Sequence, residues 1–145
     1  ETVCIASMEM KPAVTLARMC RQAFGADTPD SAFITAFSKA TNRRLWLYDQ
    51  QGTVKPPKML AVVRYCADQL RVRHFVIDSL MKCGMGEDDY NAQKGFVDSL
   101  TAAARDYGRT PDTVRRLHLA SSRGLAVMLI DARNGAVIGP VNADP

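Results

Sequence analysis

The chain of 145 residues has no apolar run long enough to cross a membrane, and it shows no signal-peptide pattern at its start. Its longest apolar stretches, such as residues 125–130, are far shorter than the roughly 20 residues that a bilayer-spanning helix needs. The sequence also lacks internal repeats, low-complexity segments and linkers. These absences exclude a membrane span and a repeat architecture, and they predict a single domain over residues 1–145.

The spacing of the cysteines is not that of a metal site. No CxxC pair and no zinc-ligand spacing is present among the four cysteines, which are Cys4, Cys20, Cys66 and Cys83. Each lies in an apolar or helical stretch, so we expect four reduced thiols in the core of a cytoplasmic protein. The two histidines, His74 and His118, stand alone, and we expect both to be structural.

The composition is that of an ordinary globular protein with a small excess of positive charge. Apolar residues make up 47% of the chain and charged residues 23%, which excludes disorder along the whole chain. The net charge of +4 allows a polyanionic partner without requiring one. Basic residues precede several predicted strands, at positions 43–44, 71–73 and 115–116. They are either solvated charges or phosphate ligands.

Apolar strand patterns alternate with amphipathic helix patterns along the chain. Strands are predicted at residues 2–6, 44–48, 74–77 and 117–120, and helices at residues 12–24, 31–39, 56–70 and 89–107. The aspartate pair at 88–89 is expected to cap the last helix. Residues 125–130 and 136–141 resemble a hairpin around an Asn-Gly turn. This alternation predicts an α/β fold with a mainly parallel sheet flanked by helices.

The apolar residues of these elements predict which surfaces are buried. The first strand consists of β-branched and apolar residues and is expected to be buried on both faces. The first helix carries an apolar face formed by Leu16, Cys20, Ala23 and Phe24. Aromatic residues in the strands are expected in the core, and they are Trp46, Tyr48 and Phe75.

Two carboxylates follow predicted strands, where open parallel sheets collect their functional groups. Asp78 ends the apolar strand at residues 74–77, and this is the pattern of a Walker B element, whose aspartate holds Mg²⁺ bound to nucleotide phosphates. Glu9 follows the first strand and could act as a general base toward water. The alternatives are a loop-capping aspartate and a glutamate favoured by the positive end of a helix.

Taken together, these motifs resemble those of DnaB-type replicative helicases and phage primase–helicases. Residues 7–10 read Ser-Met-Glu-Met and resemble the family's "SLEM" element, with Leu16, Ala17 and Arg18 on the helix that follows. Residues 74–80 read His-Phe-Val-Ile-Asp-Ser-Leu and resemble the family's Walker B segment. The helix after that segment also matches, and the resemblance is clearest over residues 1–106.

The resemblance implies a RecA-like ATPase core that assembles into a homo-oligomeric, hexameric ring and couples ATP hydrolysis to movement on single-stranded DNA. It implies ATP and Mg²⁺ as cofactors, Glu9 as the catalytic glutamate and Asp78 as the aspartate linked to Mg²⁺. It also implies nucleotide sites between subunits of a phage or plasmid replication protein.

The family's remaining site positions fall on the last part of the chain and on one lysine. Ser121 occupies the position of the family's phosphate sensor, and Arg123 matches the arginine that follows it. Arg133 matches the family's trans-acting arginine finger, although Asp131 replaces the usual lysine of that motif. An ordinary hairpin with a solvated arginine is the alternative. Lys82 follows the Walker B segment and is a candidate contact for nucleic acid or phosphate.

The chain also lacks two larger features of the family. It contains no GxxxxGK[ST] loop, which wraps phosphates in this class of ATPase and lies just upstream of the matching region. It also lacks the DNA-binding loop between the last two motifs. We therefore expect a RecA-like core truncated at its N-terminus, or a catalytically inactive module that binds a protein or nucleic acid. A third possibility is a flavodoxin-like domain, in which Glu9 and Asp78 would lie apart.

Overall fold

The computed structural model describes residues 1–86, 88–107, 116–121, 124–131 and 137–141. The strands are β1 (Val3–Ser7), β2 (Leu45–Leu47), β3 (His74–Asp78), β4 (Arg116–Ser121), β5 (Gly124–Asp131) and β6 (Val137–Val141). The helices are α1 (Pro12–Phe24), α2 (Ser31–Thr41), α3 (Pro56–Leu70) and α4 (Tyr90–Tyr107), with a short 3₁₀ turn over Leu80–Cys83. Each predicted element is present, and its bounds agree with the prediction to within about two residues.

One sheet connects all six strands, in the order β2-β1-β3-β4-β5-β6. The first four strands in this order run parallel, and β5 and β6 are antiparallel to their neighbours. The predicted α/β fold with a mainly parallel sheet flanked by helices is therefore confirmed. The antiparallel pairing of β5 with β6 also agrees with the predicted hairpin, whose turn at residues 132–136 lies outside the described residues.

The helices divide between the two faces of the sheet because the chain changes direction after β2. The connection from β1 to β2 contains α1 and α2 and runs toward the β2 edge of the sheet. The connections that contain α3 and α4 run in the opposite direction, toward β4. Right-handed crossovers then put these two pairs of helices on opposite faces. In agreement, α1 contacts α2 and α3 contacts α4.

The two faces are buried to different extents. On the α3–α4 face, Cys4 and Phe75 are register partners and are 2% and 0% exposed. On the α1 face, the partners Ile5 and Val76 are only half-buried. The expectation that the first strand is buried on both faces is therefore wrong. Successive side chains of a strand point to opposite faces of the sheet, so neighbouring positions on these strands alternate between a closed core face and a partly open face.

The closed face carries the hydrophobic core. Side chains of α3 and α4 pack on the sheet there, and the fully buried ones include Met59, Val63 and Leu100. Phe75 and Ile77 of β3 complete this layer, both without exposed surface. Of the three aromatic residues assigned to the core, Phe75 is fully buried, whereas Trp46 and Tyr48 are only half-buried.

Helix α1 is only partly covered by the rest of the protein. Cys20 is buried and Leu16 half-buried, but Ala23 and Phe24 are exposed, so half of the predicted apolar face is not covered. The Phe24 ring contacts the Phe33 ring of α2, with centroids 4.9 Å apart. This contact joins two helices that otherwise bury little, since α2 has no fully buried residue.

Local sequence signals explain the ends of the helices. Pro12 begins α1, and Gly25 ends it in the left-handed conformation at φ 80°, which glycine adopts at no steric cost. The carboxylate of Asp30 accepts a hydrogen bond from the Phe33 N–H and so caps α2. Asp89 caps α4 in the same way by accepting from Ala92, as predicted for the 88–89 pair. Among the described residues, none of the helices combines the length and apolar character of a membrane crossing.

All four cysteines are free and buried, which confirms their expected place in the core. Burial raises the pKa of the Cys83 thiol to about 11. A hydrogen bond joins the thiols of Cys4 on β1 and Cys66 on α3; it raises the pKa of Cys4 and lowers that of Cys66.

Candidate functional site

The carboxyl ends of β1 and β3 lie side by side and form the candidate site. Ser7 is the last residue of β1 and is the register partner of Asp78, the last residue of β3. The Ser7 hydroxyl donates to the Asp78 carboxylate at 3.5 Å. One residue further, the Met8 N–H donates to the Asp78 carbonyl at 3.0 Å. The parallel pairing therefore continues past the strands and holds the chain that leads to Glu9 against Asp78.

Asp78 combines a half-buried position with polar neighbours on both sides. Ser7 is 5% exposed and Ser79 is 3% exposed, so both hydroxyls are enclosed by protein. The Ser79 hydroxyl has no hydrogen-bond partner, although buried polar groups normally have one. The residue next to Asp78 thus carries an unmatched polar group that is closed off from solvent.

Glu9 lies at the same edge of the sheet and is exposed to solvent. It follows Met8, which is 1% exposed and anchors the turn in the core. Because Met8 is bonded to the Asp78 carbonyl, the backbone of Glu9 begins next to the end of β3. A carboxylate in this position is accessible to water.

Backbone hydrogen bonds join the three loops at this edge of the sheet. The Gly52 N–H, in the loop after β2, donates to the Met8 carbonyl at 2.9 Å. The Val54 N–H of the same loop donates to the Lys82 carbonyl at 2.7 Å. Lys82 itself belongs to the 3₁₀ turn after β3, is half-buried, and donates its N–H to the Ser79 carbonyl. The loop after β2 therefore bridges the loops that carry Glu9 and Asp78.

The remaining predicted site residues belong to the end of the chain. Ser121 ends β4, and β4 is the neighbour of β3, with Asp78 and Ala120 as register partners. The backbone of Ser121 is thus at the same edge as Asp78, one residue further along. Arg123 and Arg133 lie outside the described residues.

The basic residues that precede strands are found at the opposite edge of the sheet. Arg44, Arg71 and Arg73 line a cleft of about 540 Å³ together with Thr2. The Thr2 hydroxyl donates to the Arg71 carbonyl and accepts from the Arg73 N–H, at 2.6 and 3.1 Å. These arginines are therefore separated from Asp78 by the length of the strands and do not contribute to the candidate site.

The donor set at the site fits Mg²⁺ bound largely through water. The described residues contain no group of three or more His, Cys, Asp or Glu that could hold a metal ion. Mg²⁺, however, usually keeps several waters and uses only one or two carboxylates plus substrate phosphates. Asp78 would supply the carboxylate, and the hydroxyls of Ser7 and Ser79 lie beside it. The site is suited to a metal that arrives with a phosphate ligand.

Ser7 and Ser79 were not assigned a role from the sequence. Each is the polar residue at the end of an apolar strand pattern, and both flank the carboxylate that was singled out. A polar residue buried at a strand end could have been recognised by this position. The contact between Ser7 and Asp78, however, depends on the register of β1 against β3, which no local pattern gives.

Comparison with known proteins yields similarity in fold only. No protein-family model matches the chain, and no curated protein matches it in sequence. Among solved structures, 53 chains match. One of them is the ATPase domain of a DnaB-like helicase; it has a TM-score of 0.49 and 13% identity, and the alignment covers 94% of this chain and 69% of that chain. A likeness of this size establishes neither a family nor an activity for this chain.

Proposed function

We propose that this chain is the ATPase core of a DnaB-like replicative helicase, which couples nucleotide hydrolysis to movement on single-stranded DNA. The observation that carries the proposal is the pairing of Ser7 with Asp78, which brings the loops of Glu9 and Asp78 to one edge of the sheet. Flavodoxin-like sheets share the strand order β2-β1-β3-β4, so the choice of a helicase core over that alternative rests on the sequence motifs. The sequence motifs at both positions add the resemblance to DnaB-type helicases.

In the proposed mechanism, Asp78 would hold Mg²⁺ through its water shell when the metal arrives with ATP, and Glu9 would orient and activate the attacking water. The metal would neutralise charge on the phosphates during transfer. The Ser7 hydroxyl approaches the half-buried carboxylate of Asp78 at 3.5 Å, which is a long contact for a hydroxyl donor. Glu9 is exposed and can therefore reach a water molecule, as a general base must.

The other residues complete the proposed site in a ring of identical subunits. Ser121 and Arg123 would lie near the γ-phosphate, and Arg133 would act across the subunit interface on the neighbour's nucleotide. Lys82 would contact the single-stranded DNA or a phosphate. The turn that contains Lys82 is half-buried, and the Lys82 carbonyl accepts a hydrogen bond from the Val54 N–H. This bond fixes the backbone position from which the Lys82 side chain extends. We propose residues 1–145 as one domain of this core.

The missing GxxxxGK[ST] loop favours a second candidate function. Without backbone N–H groups to wrap the phosphates, this chain has no evident means of holding ATP tightly. A RecA-like module that no longer hydrolyses ATP and acts by binding a protein or nucleic acid would need neither that loop nor the family's sensor residue. The two candidates differ in whether Glu9 matters for turnover.

The test is ATP hydrolysis, with and without single-stranded DNA, in a protein that joins these residues to a phosphate-binding loop. Under the first proposal, Glu9→Gln lowers turnover by about 100-fold or more, the size expected for a general base, and leaves ATP binding unchanged. Asp49→Asn is the matched control, because Asp49 is an exposed carboxylate just after β2 at the same edge. Equal turnover in Glu9→Gln and in the unsubstituted protein would exclude the role proposed for Glu9.

A further inference from the structure

The edge of the sheet at β2 has an unpaired side. Strand β2 ends the strand order, and it pairs with β1 alone among the described residues. Arg44 and Tyr48 form their backbone bonds with Val3 and Ile5, at 2.7 and 2.9 Å. In a parallel ladder, every second residue of a strand directs its N–H and C=O groups toward the partner strand. The residues of β2 that alternate with these direct their N–H and C=O groups away from β1, toward solvent. Those residues are Leu45 and Leu47.

A groove flanks this edge on each face of the sheet. The first, the α2 groove, has a volume of about 580 Å³ and is lined by β2, Leu16 and the end of α2. The second, the α3 groove, has a volume of about 400 Å³ and is lined by β2, Tyr48 and the outer side of α3, including Val62 and Tyr65. The two grooves lie on opposite faces because α2 and α3 do.

An extended peptide matches this arrangement better than any other occupant. Successive side chains of a strand point to opposite faces of a sheet, so a strand added along β2 would put alternate side chains into the two grooves. Its backbone would pair with the outward groups of Leu45 and Leu47. Addition of a strand to an open edge is a general mode of peptide recognition, with backbone bonds for affinity and side-chain pockets for specificity.

The polar groups at the edge indicate the chemistry of the peptide. The charged residues that line the two grooves are all cations: Lys39 and Arg43 for the α2 groove, and Lys58 for the α3 groove. The indole N–H of Trp46, which lines both grooves, is buried without a hydrogen-bond partner. This N–H has no accessible surface, so a peptide in either groove would contact the Trp46 ring and not its N–H. The favoured peptide has an apolar centre and acidic ends.

We propose that the β2 edge binds an extended segment of a partner protein, with a short apolar centre and acidic flanks, as an additional strand. This site lies at the side of the sheet, away from Asp78, and the proposal does not depend on ATP hydrolysis. Open edges of this kind are normally blocked by charges, proline or a covering element. Here the residues at the edge are Leu-Trp-Leu, and no covering strand is found in the described part of the chain.

The test uses the full chain and a fluorescent capped peptide with a Val-Leu-Val-Leu-Val centre between pairs of acidic residues. We expect saturable binding by fluorescence anisotropy. Leu47→Pro removes one outward N–H at an edge position where proline is tolerated, and it should weaken binding by about tenfold, the effect of about 1.4 kcal/mol. A peptide with proline at its centre should show the same loss with the unsubstituted chain.

Charge reversal gives a second test that does not alter the backbone. Lys39→Glu and Lys58→Glu should each weaken binding of the acidic peptide on the order of threefold, as expected for exposed ion pairs. Arg18→Glu is the matched control, since Arg18 is an exposed cation that lines neither groove, and it should leave binding unchanged. A peptide with lysine at its ends should bind less tightly than the acidic one.

Amide hydrogen exchange in the unsubstituted chain tests strand addition at β2 if the Leu47→Pro variant does not fold. Bound peptide should slow exchange at the amides of Leu45 and Leu47 in the unsubstituted chain, while the Trp46 amide, already paired with β1, changes little. Absence of saturable binding, or binding that is indifferent to both proline substitutions, would overturn the proposal. Self-association of the chain without peptide, abolished by Leu47→Pro, would also overturn it, because a second copy would then occupy the edge.

Discussion

The hydroxyl of Ser7 and the carboxylate of Asp78 face each other at 3.5 Å across the last register position of two parallel strands. The two residues are 71 positions apart in the chain. Their contact exists because β3 returns to the centre of the sheet beside β1, while β2 goes to the edge. The proposed site therefore depends on strand order, and its parts come from two motifs that are far apart in the sequence.

The unequal burial of the two sheet faces predicts that shortening a side chain lowers the free energy of unfolding by unequal amounts. Phe75→Ala removes a fully buried ring on the α3–α4 face and should lower the free energy of unfolding by about 3–5 kcal/mol. Ile34→Ala, at a side chain of α2 that is 48% exposed, should change it by no more than about 0.5 kcal/mol. Urea denaturation of both variants measures these values. Similar losses for the two would contradict the described asymmetry.

Burial of the Cys83 thiol predicts a loss of stability in alkaline solution. Its pKa is raised from 9.0 to about 11, so the folded state keeps a proton that the unfolded chain has released. The resulting stabilisation is complete below pH 9 and is lost as the pH rises toward 11. Titration of Cys83 alone lowers the free energy of unfolding by up to about 1.4 kcal/mol per pH unit in this range.

Comparison with Cys83→Ala isolates the contribution of this thiol, because other groups also titrate in that range. The free energy of unfolding of the unsubstituted chain should fall more steeply between pH 9 and pH 11 than that of the variant. Denaturation at a series of pH values measures the difference in slope. Parallel curves would show that Cys83 keeps an ordinary pKa in the folded protein.

The absence of a GxxxxGK[ST] loop predicts weak nucleotide binding by the chain alone. Calorimetry with Mg²⁺ and a non-hydrolysable ATP analogue should detect no tight binding, because no loop supplies the backbone N–H groups that hold phosphates. Clear binding would mean that another loop holds the phosphates. In that case the proposed site at Glu9 and Asp78 would have to be reassigned.

Much of the fold could be predicted from the sequence because its signals are local. Pro12 and Gly25 mark the ends of α1, and Asp89 marks the start of α4, through contacts within a few residues. The alternation of strands and helices then indicated the α/β class and the parallel sheet. The carboxylates Glu9 and Asp78 could be selected because they follow strands.

The rest depends on tertiary contacts that no local pattern encodes. The exposure of Phe24 arises because α1 and α2 cover only part of their sheet face, although the apolar spacing of α1 is that of a buried helix. The contact between Cys4 and Cys66 and the open side of β2 likewise follow from strand order. Arg123 and Arg133 lie outside the described residues, and their roles stay predictions.

The most direct test of the proposed site is paramagnetic broadening by Mn²⁺, a substitute for Mg²⁺, bound to a non-hydrolysable ATP analogue, in NMR spectra of a protein that joins these residues to a phosphate-binding loop. The account predicts selective broadening of the amides of Ser7, Met8 and Asp78, which Asp78→Asn abolishes and the control Asp49→Asn leaves intact. Asp78→Asn is nearly isosteric, so it tests the charge more than the packing. Broadening that is absent from these amides, or that survives Asp78→Asn, would contradict the assignment of Asp78 as the metal-linked carboxylate.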